Sequence, residues 1–192
     1  MITYEQQPDN TWERQPLRPR VYLASLADYN AGHLHGAWRP ADQSVDDLQE
    51  QAQAMLAASP LLGAEEYAVH DYEDFAGIRL DEATSLETIA RLASGLARHG
   101  PAFAARAQWL DTEDATEEAF NNHYRGSWQS VQDYAADLLD ELGVEQYLAD
   151  VPDWLRPYVT GDVAGFARDL ELGGDIYAAE DRLQIHIFDA HA

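Results

Sequence analysis

The residues in this chain that could do chemistry are carboxylates. Between Gln129 and Leu142, Asp133, Asp137, Asp140 and Glu141 recur at intervals of three and four, and residues four apart on a helix are separated by about 6 Å along its axis. That is also the scale on which phosphates succeed one another along a nucleic-acid strand. Residues 107 to 155 hold twelve acids and one base, Arg125, and residues 42 to 78 hold nine acids with neither Lys nor Arg. Acids in such numbers could support hydrolysis by paired carboxylates, bind a divalent cation, or display negative charge to a partner.

Hydrolysis depends on two carboxyls held at a set separation in space, and the sequence offers many pairs without favouring one. G-x-S-x-G, the P-loop and G-x-G-x-x-G do not occur, so the usual nucleophile and phosphate-binding turns are not signalled. Without Cys there is no thiolate ligand or cysteine nucleophile. His33 and His35 would share one face of a strand, but no motif supplies a third ligand, and neither H-E-x-x-H nor an EF-hand loop occurs. No catalytic, metal or cofactor residue is assigned, and the chain does not read as an enzyme. Charge display remains. Like charges four apart weaken a helix by a few tenths of a kcal/mol per pair, a cost ordinarily relieved by interleaved Lys or Arg. Here that relief is missing.

The whole chain repeats the imbalance. Its 192 residues carry 35 acids against 12 bases, every base an Arg, for a formal net charge of -23. Ten Tyr, five Trp and five Phe within a 46% hydrophobic composition separate it from disordered acidic tails. Such a field repels nucleic acid and anionic membrane and attracts basic protein surfaces at rates that fall with salt. A halophilic surface or a general acidic protein-binding module shares this composition; either would spread its acids over all faces. A hydrolase would instead converge a few acids in a concave pocket. No basic segment leads into an apolar one and no apolar run reaches 18 residues, so the chain reads as soluble and cytoplasmic.

The elements that position these acids follow from periodicity. Residues 1–18 read as an irregular lead-in. VYLASL from Val21 is strand-like, DYNAGHLHG is a turn-rich connection, and Ser44 with Asp47 at N3 opens a helix through about Ala58. Its inner face is Val45, Leu48, Ala52, Met55 and Leu56, and residues 66–73 form another strand. Ser85 caps a helix through Arg98 with Leu86, Ile89, Leu92, Ala93 and Leu96 inward, and further helices span about 102–110 and 115–122. Gly126 and Ser127 make a break and cap before the acidic helix 129–142, whose apolar side is Val131, Tyr134, Ala135, Leu138, Leu139 and Leu142. Gly143 ends it at a position that favours φ > 0. Asp162 caps a helix through Leu170, and residues 175–180 and 181–188 form a hairpin with Leu183, Ile185 and Ile187 inward, Gln184 and His186 outward. Tyr67, Tyr72, Trp109, Trp128, Tyr134 and Trp154, interleaved with the acids, read as packing residues rather than a binding platform. The fold class is α+β, with domains at 1–79 (small sheet and helix), 80–122 (helical) and 123–192 (α+β with acidic helix and hairpin).

Four segments closely resemble the ArdA family of antirestriction proteins: VYLASLADYNAGHLHGAW at 21–38, YAVHDYEDFAG at 67–77, the Asn121 to Gly143 region with HYRGSWQSVQDYA, and YVTGDVAGFARDLELGGDIYAAED with the following IHIF. The resemblance implies an elongated three-domain α+β homodimer that imitates bent B-form DNA. It implies that the protein occupies the DNA site of type I restriction-modification enzymes and so protects incoming mobile DNA. The imitating surface would comprise Asp42, Asp46, Asp47, Glu50, Glu65, Glu66, Glu73, Asp74, Asp81, Glu82 and Glu87. It would continue through Asp111, Glu113, Asp114, Glu117, Glu118, Asp133, Asp137, Asp140, Glu141, Glu145, Asp150 and Asp153. The lead-in and the absence of Lys depart from the family pattern.

Overall fold

The structure, a computed structural model, describes residues 4–6, 12–14, 16–110, 112, 114–155, 159 and 161–191. The chain is α+β and divides into two compact units, residues 1–120 and 121–192. The sheet of the first third and the helices of the middle third both lie in the first unit.

In the first unit β1 (Tyr4–Gln6) and β2 (Trp12–Arg14) pair antiparallel, Tyr4 opposite Arg14. The lead-in therefore holds a strand pair where its polar, Pro-containing sequence suggested irregular chain. β3 (Arg20–Ser25) is the centre of a three-stranded antiparallel sheet, flanked by β4 (Gly36–Pro40) and β5 (Tyr67–Glu73). Val21, Leu23, Ala24 and Ser25 of β3 are buried. The connection after β3 contains a short helix, α1 (Leu26–Asn30), whose cap is Ser25. α2 (Val45–Ala57) buries Leu48, Ala52, Met55 and Leu56. Val45, expected inward, is exposed, because it occupies the first helical position, at the end of the buried stripe.

α3 (Leu86–His99) buries all five of its predicted inner residues, together with Ala90 and Gly95. It packs against α2 and against α4 (Pro101–Trp109). Gly100, at φ 59°, ends one helix and starts the next, with Pro101 at the first turn of α4 where its missing N–H costs nothing. This reversal brings Phe103 onto α3 at Gly95, where a Cβ would lie 2.3 Å from the ring. Phe120 of α5 (Glu117–His123) packs on Phe103, ring centroids 5.9 Å apart.

The second unit is built on β6 (Tyr124–Trp128), α6 (Val131–Glu141), α7 (Val144–Ala149), α8 (Val163–Gly173), β7 (Ile176–Glu180) and β8 (Ile185–Asp189). Its antiparallel sheet has the order β6-β8-β7. YRGS thus belongs to a strand, and the cap of the acidic helix is Ser130, whose hydroxyl accepts from the Asp133 N–H at 3.1 Å. Gly143 is left-handed, at φ 69°, as its position demanded, and α7 follows it directly. β8 is the central strand, and His186, on the face opposite Ile185 and Ile187, is buried rather than exposed. Its ring is satisfied there: Nε2 donates to the Asp181 carboxylate and Nδ1 accepts from the Tyr124 hydroxyl, both at 3.1 Å. α6 packs on α8.

The Gly95 notch yields a stability prediction. Ala is favoured over Gly in a helix by about 1 kcal/mol, but overpacking a filled core costs about 1–3 kcal/mol. Phe103 is fully buried and held by Phe120, so the clash wins. Gly95→Ala should lower the urea unfolding midpoint; an unchanged or higher midpoint would show that the ring moves aside freely.

Candidate functional site

The predicted acids are overwhelmingly outside. Asp42, Asp46, Asp47, Glu50, Glu65, Glu66, Glu73, Asp81, Glu82, Glu87, Asp114, Glu118, Asp133, Asp137, Asp140, Glu141, Glu145, Asp150 and Asp153 are exposed, while Asp74 and Glu117 are half-buried. Asp111 and Glu113 lie outside the described residues. Two groups are true rows. On α6, Asp133, Asp137, Asp140 and Glu141 fall within an arc of about 100°, and on α2 Asp46, Asp47 and Glu50 do the same.

Placement at the helix starts is favourable, because an N-terminus carries partial positive charge. Asp46, Asp47 and Asp133 occupy first turns. Asp140 and Glu141 do the opposite. They crowd the negative end of α6, whose last turn has no base, and such placement works against the macrodipole by about 0.3–1 kcal/mol per charge. A local rule broken without local compensation marks a functional surface more often than a stabilising one.

Several of these carboxylates are held in fixed directions. The Ser44 hydroxyl donates to Asp47 at 2.6 Å and the Ser130 hydroxyl donates to Asp133 at 2.7 Å. The Trp128 indole N–H donates to Asp137 at 2.7 Å. Two acids are neutralised instead: Glu73 accepts from Arg20 Nε at 2.7 Å, and Glu117 pairs with Arg98 at 2.7 Å. Other arginines also make contacts within the chain. Arg106 is buried over the Trp109 ring, 4.6 Å from its centroid, and burial pushes its pKa down. Arg91 donates to the Thr112 carbonyl at 3.0 Å and Arg125 pairs with Asp189.

Not every acid is on display. Asp28 on α1 is fully buried, one carboxylate oxygen accepting from the Ser59 hydroxyl at 2.7 Å. The Ser25 hydroxyl lowers its pKa most, burial opposes, and Ser59, His35 and His33 add to the lowering. His35 donates from Nε2 to the Met55 carbonyl at 2.7 Å. Among the described residues no three His, Asp or Glu side chains come together as a metal-holding group, and no helix is long and apolar enough to cross a membrane.

The second unit also contains an open cleft of about 620 Å³ between α6 and the sheet. Trp128 and Tyr134, expected as packing residues, line it, with Asp137, Glu141, Asp175 and Asp189 among its polar groups. The sequence marks neither Asp175 nor Asp189 directly; its pointer is Arg125, the lone base of the acidic stretch, since an isolated Arg among acids needs a partner. Leu142, Tyr147, Trp154 and Leu172 are exposed apolar side chains of the same unit. Leu142 was expected on the inner side of α6, where only Ala135 is fully buried.

The model of the antirestriction protein family ArdA matches residues 21–183 of the chain, well over half of it. No curated protein matches the chain.

The Arg125 pair governs a pH response. Arg125, then the His191 backbone N–H, hold the Asp189 pKa below its ordinary 3.8 against a smaller opposing effect of burial. A lowered native pKa contributes stability above the unfolded value, and the contribution is lost as pH falls through the native one. Asp189→Asn should therefore be less stable than the parent at pH 7, with the gap closing below about pH 3.8. Urea unfolding at pH 7, 4 and 3 measures it; a gap that stays constant over this range would contradict the linkage.

Proposed function

We propose, given that this chain belongs to the ArdA family of antirestriction proteins, that it inhibits type I restriction-modification enzymes by presenting carboxylates where those enzymes expect DNA phosphates. The carrying observation is the pair of exposed acid rows on α2 and α6, at helical-turn spacing and with no base among them. A DNA-binding surface gains affinity by neutralising phosphates with Lys and Arg and releasing counterions. Fixed carboxylates offer the same cations the same neutralisation. Because phosphate contacts position while base contacts specify, such a surface blocks enzymes of differing sequence preference.

The reading needs no cofactor, no nucleic acid and no membrane, and places the protein in the cytoplasm, where restriction acts. Residues 1–79, 80–122 and 123–192 act as three domains, each contributing acids. Asp189, whose pKa Arg125 holds below its ordinary value, does not suit the proton donation a carboxylate hydrolase requires. The active species is a homodimer formed through the last domain, where Leu142, Tyr147, Trp154 and Leu172 offer apolar surface. A stable interface should bury more than about 1,000 Å², and sedimentation should report a dimer at micromolar concentration; a monomer there would contradict it.

The acids act collectively. An exposed charge pair contributes about 0.2–1 kcal/mol, so Asp133→Asn, Asp137→Asn, Asp140→Asn or Glu141→Gln alone should weaken inhibition by less than about tenfold. The four combined should weaken it roughly as the product of the singles and flatten its salt dependence. One substitution abolishing inhibition while the other three are silent would indicate an active site instead, since members of a catalytic unit are not additive.

A further inference from the structure

The cleft of the second unit differs from the acid rows in having aromatic walls and a rigid frame. Gly126 sits at φ 133° in β6, and a Cβ there would lie 2.9 Å from the Trp128 ring, so the missing side chain leaves that ring its place. Tyr134 meets it edge to face, centroids 4.7 Å apart. The indole N–H is spent on Asp137, which fixes both the ring and the carboxylate. Glu141 follows Asp137 on the same face of α6 one turn on, and Asp175, the residue before β7, lines the same cleft. Asp175 has His191 3.8 Å away, and Arg125 is already taken by Asp189. A negative, aromatic-lined cleft with its own cation engaged is complementary to one incoming cation.

From this the geometry points to a specific receptor for an arginine side chain of the partner protein, seated against the aromatic wall of Trp128 and Tyr134 with its guanidinium between Glu141 and Asp175. Arginine fits better than lysine because its planar group stacks on aromatic faces and forks to carboxylates, whereas an ammonium is a strongly hydrated point charge. The cleft volume lies within the range of small-molecule sites, about 300–1,000 Å³, ample for one guanidinium and its stem. The identity of the partner rests on the proposed function; the preference for a guanidinium does not. On that reading the cleft anchors one arginine of the enzyme's DNA-binding surface, while the rows supply the diffuse field.

The test titrates the full-length protein with N-acetylarginine amide and follows the tryptophan indole N–H resonances, that of Trp128 identified by its loss in Trp128→Phe. The expected result is a saturable shift of the Trp128 resonance with the other indoles still. The uncharged isostere N-acetylcitrulline amide should leave it unmoved and N-acetyllysine amide should bind more weakly. Glu141→Gln with Asp175→Asn, both exposed positions, should weaken arginine binding by about tenfold. No shift, an equal shift with citrulline, or indifference to the double substitution would overturn the receptor. A second arm compares displacement of cognate duplex from a type I enzyme by this double variant and by Asp46→Asn with Glu50→Gln on α2. Greater weakening by the cleft pair supports the receptor, and equal weakening overturns it while leaving charge display standing. A parent protein that fails to displace duplex at all would instead overturn the proposed function.

Discussion

Repulsion among uncompensated carboxylates is the constraint that the rest of this structure answers to. A chain of formal charge -23 is pushed apart by its own field, and the fold meets this by dividing the labour of its charges. Acids face water. Several arginines make contacts within the chain: Arg20 on Glu73 and 4.8 Å over the Trp38 ring, Arg98 on Glu117, Arg125 on Asp189, and Arg106 buried on Trp109.

Cohesion has to come from elsewhere, and it comes from apolar packing concentrated away from the acid rows. In the first unit α3 is buried along a full stripe, closed by the Gly95 notch and the Phe103–Phe120 contact. The second unit relies on the central strand β8, where Ile187 and Phe188 are wholly buried and His186 is satisfied on both ring nitrogens. α6, by contrast, buries only Ala135 completely. It is anchored by its Ser130 cap and by the Trp128 indole bond to Asp137, polar devices that also aim its carboxylates. Local positioning and display are thus served by the same bonds.

Much of this was legible in the chain itself. The caps Ser44, Ser85 and Asp162, the left-handed Gly143 and the inner face of α3 follow from rules acting over a few residues, and the structure has them where those rules put them. What escaped depends on neighbours distant in sequence. His186 alternates with Ile185 and Ile187 as expected, but its face of β8 is covered too, with Tyr124 of β6 against its ring. Gly126 reads as a break until β8 is there to pair with β6. Exposure of the acids could be anticipated from their type, but the neutralisation of Glu73 and Glu117 required knowing which arginines lie across from them. The cleft was invisible for the same reason: Trp128, Glu141 and Asp175 are brought together by tertiary folding alone.

The central claim is that these carboxylates stand in for DNA at the enzyme, and occupancy tests it most directly. A type I enzyme held on fluorescently labelled cognate duplex is titrated with this protein at a series of salt concentrations, following both duplex release and the composition of the complexes formed. The account predicts full displacement, complexes containing either duplex or protein but never both, and an affinity for the enzyme that falls steeply as salt rises. A ternary complex of enzyme, duplex and protein, or an affinity indifferent to salt, would contradict it.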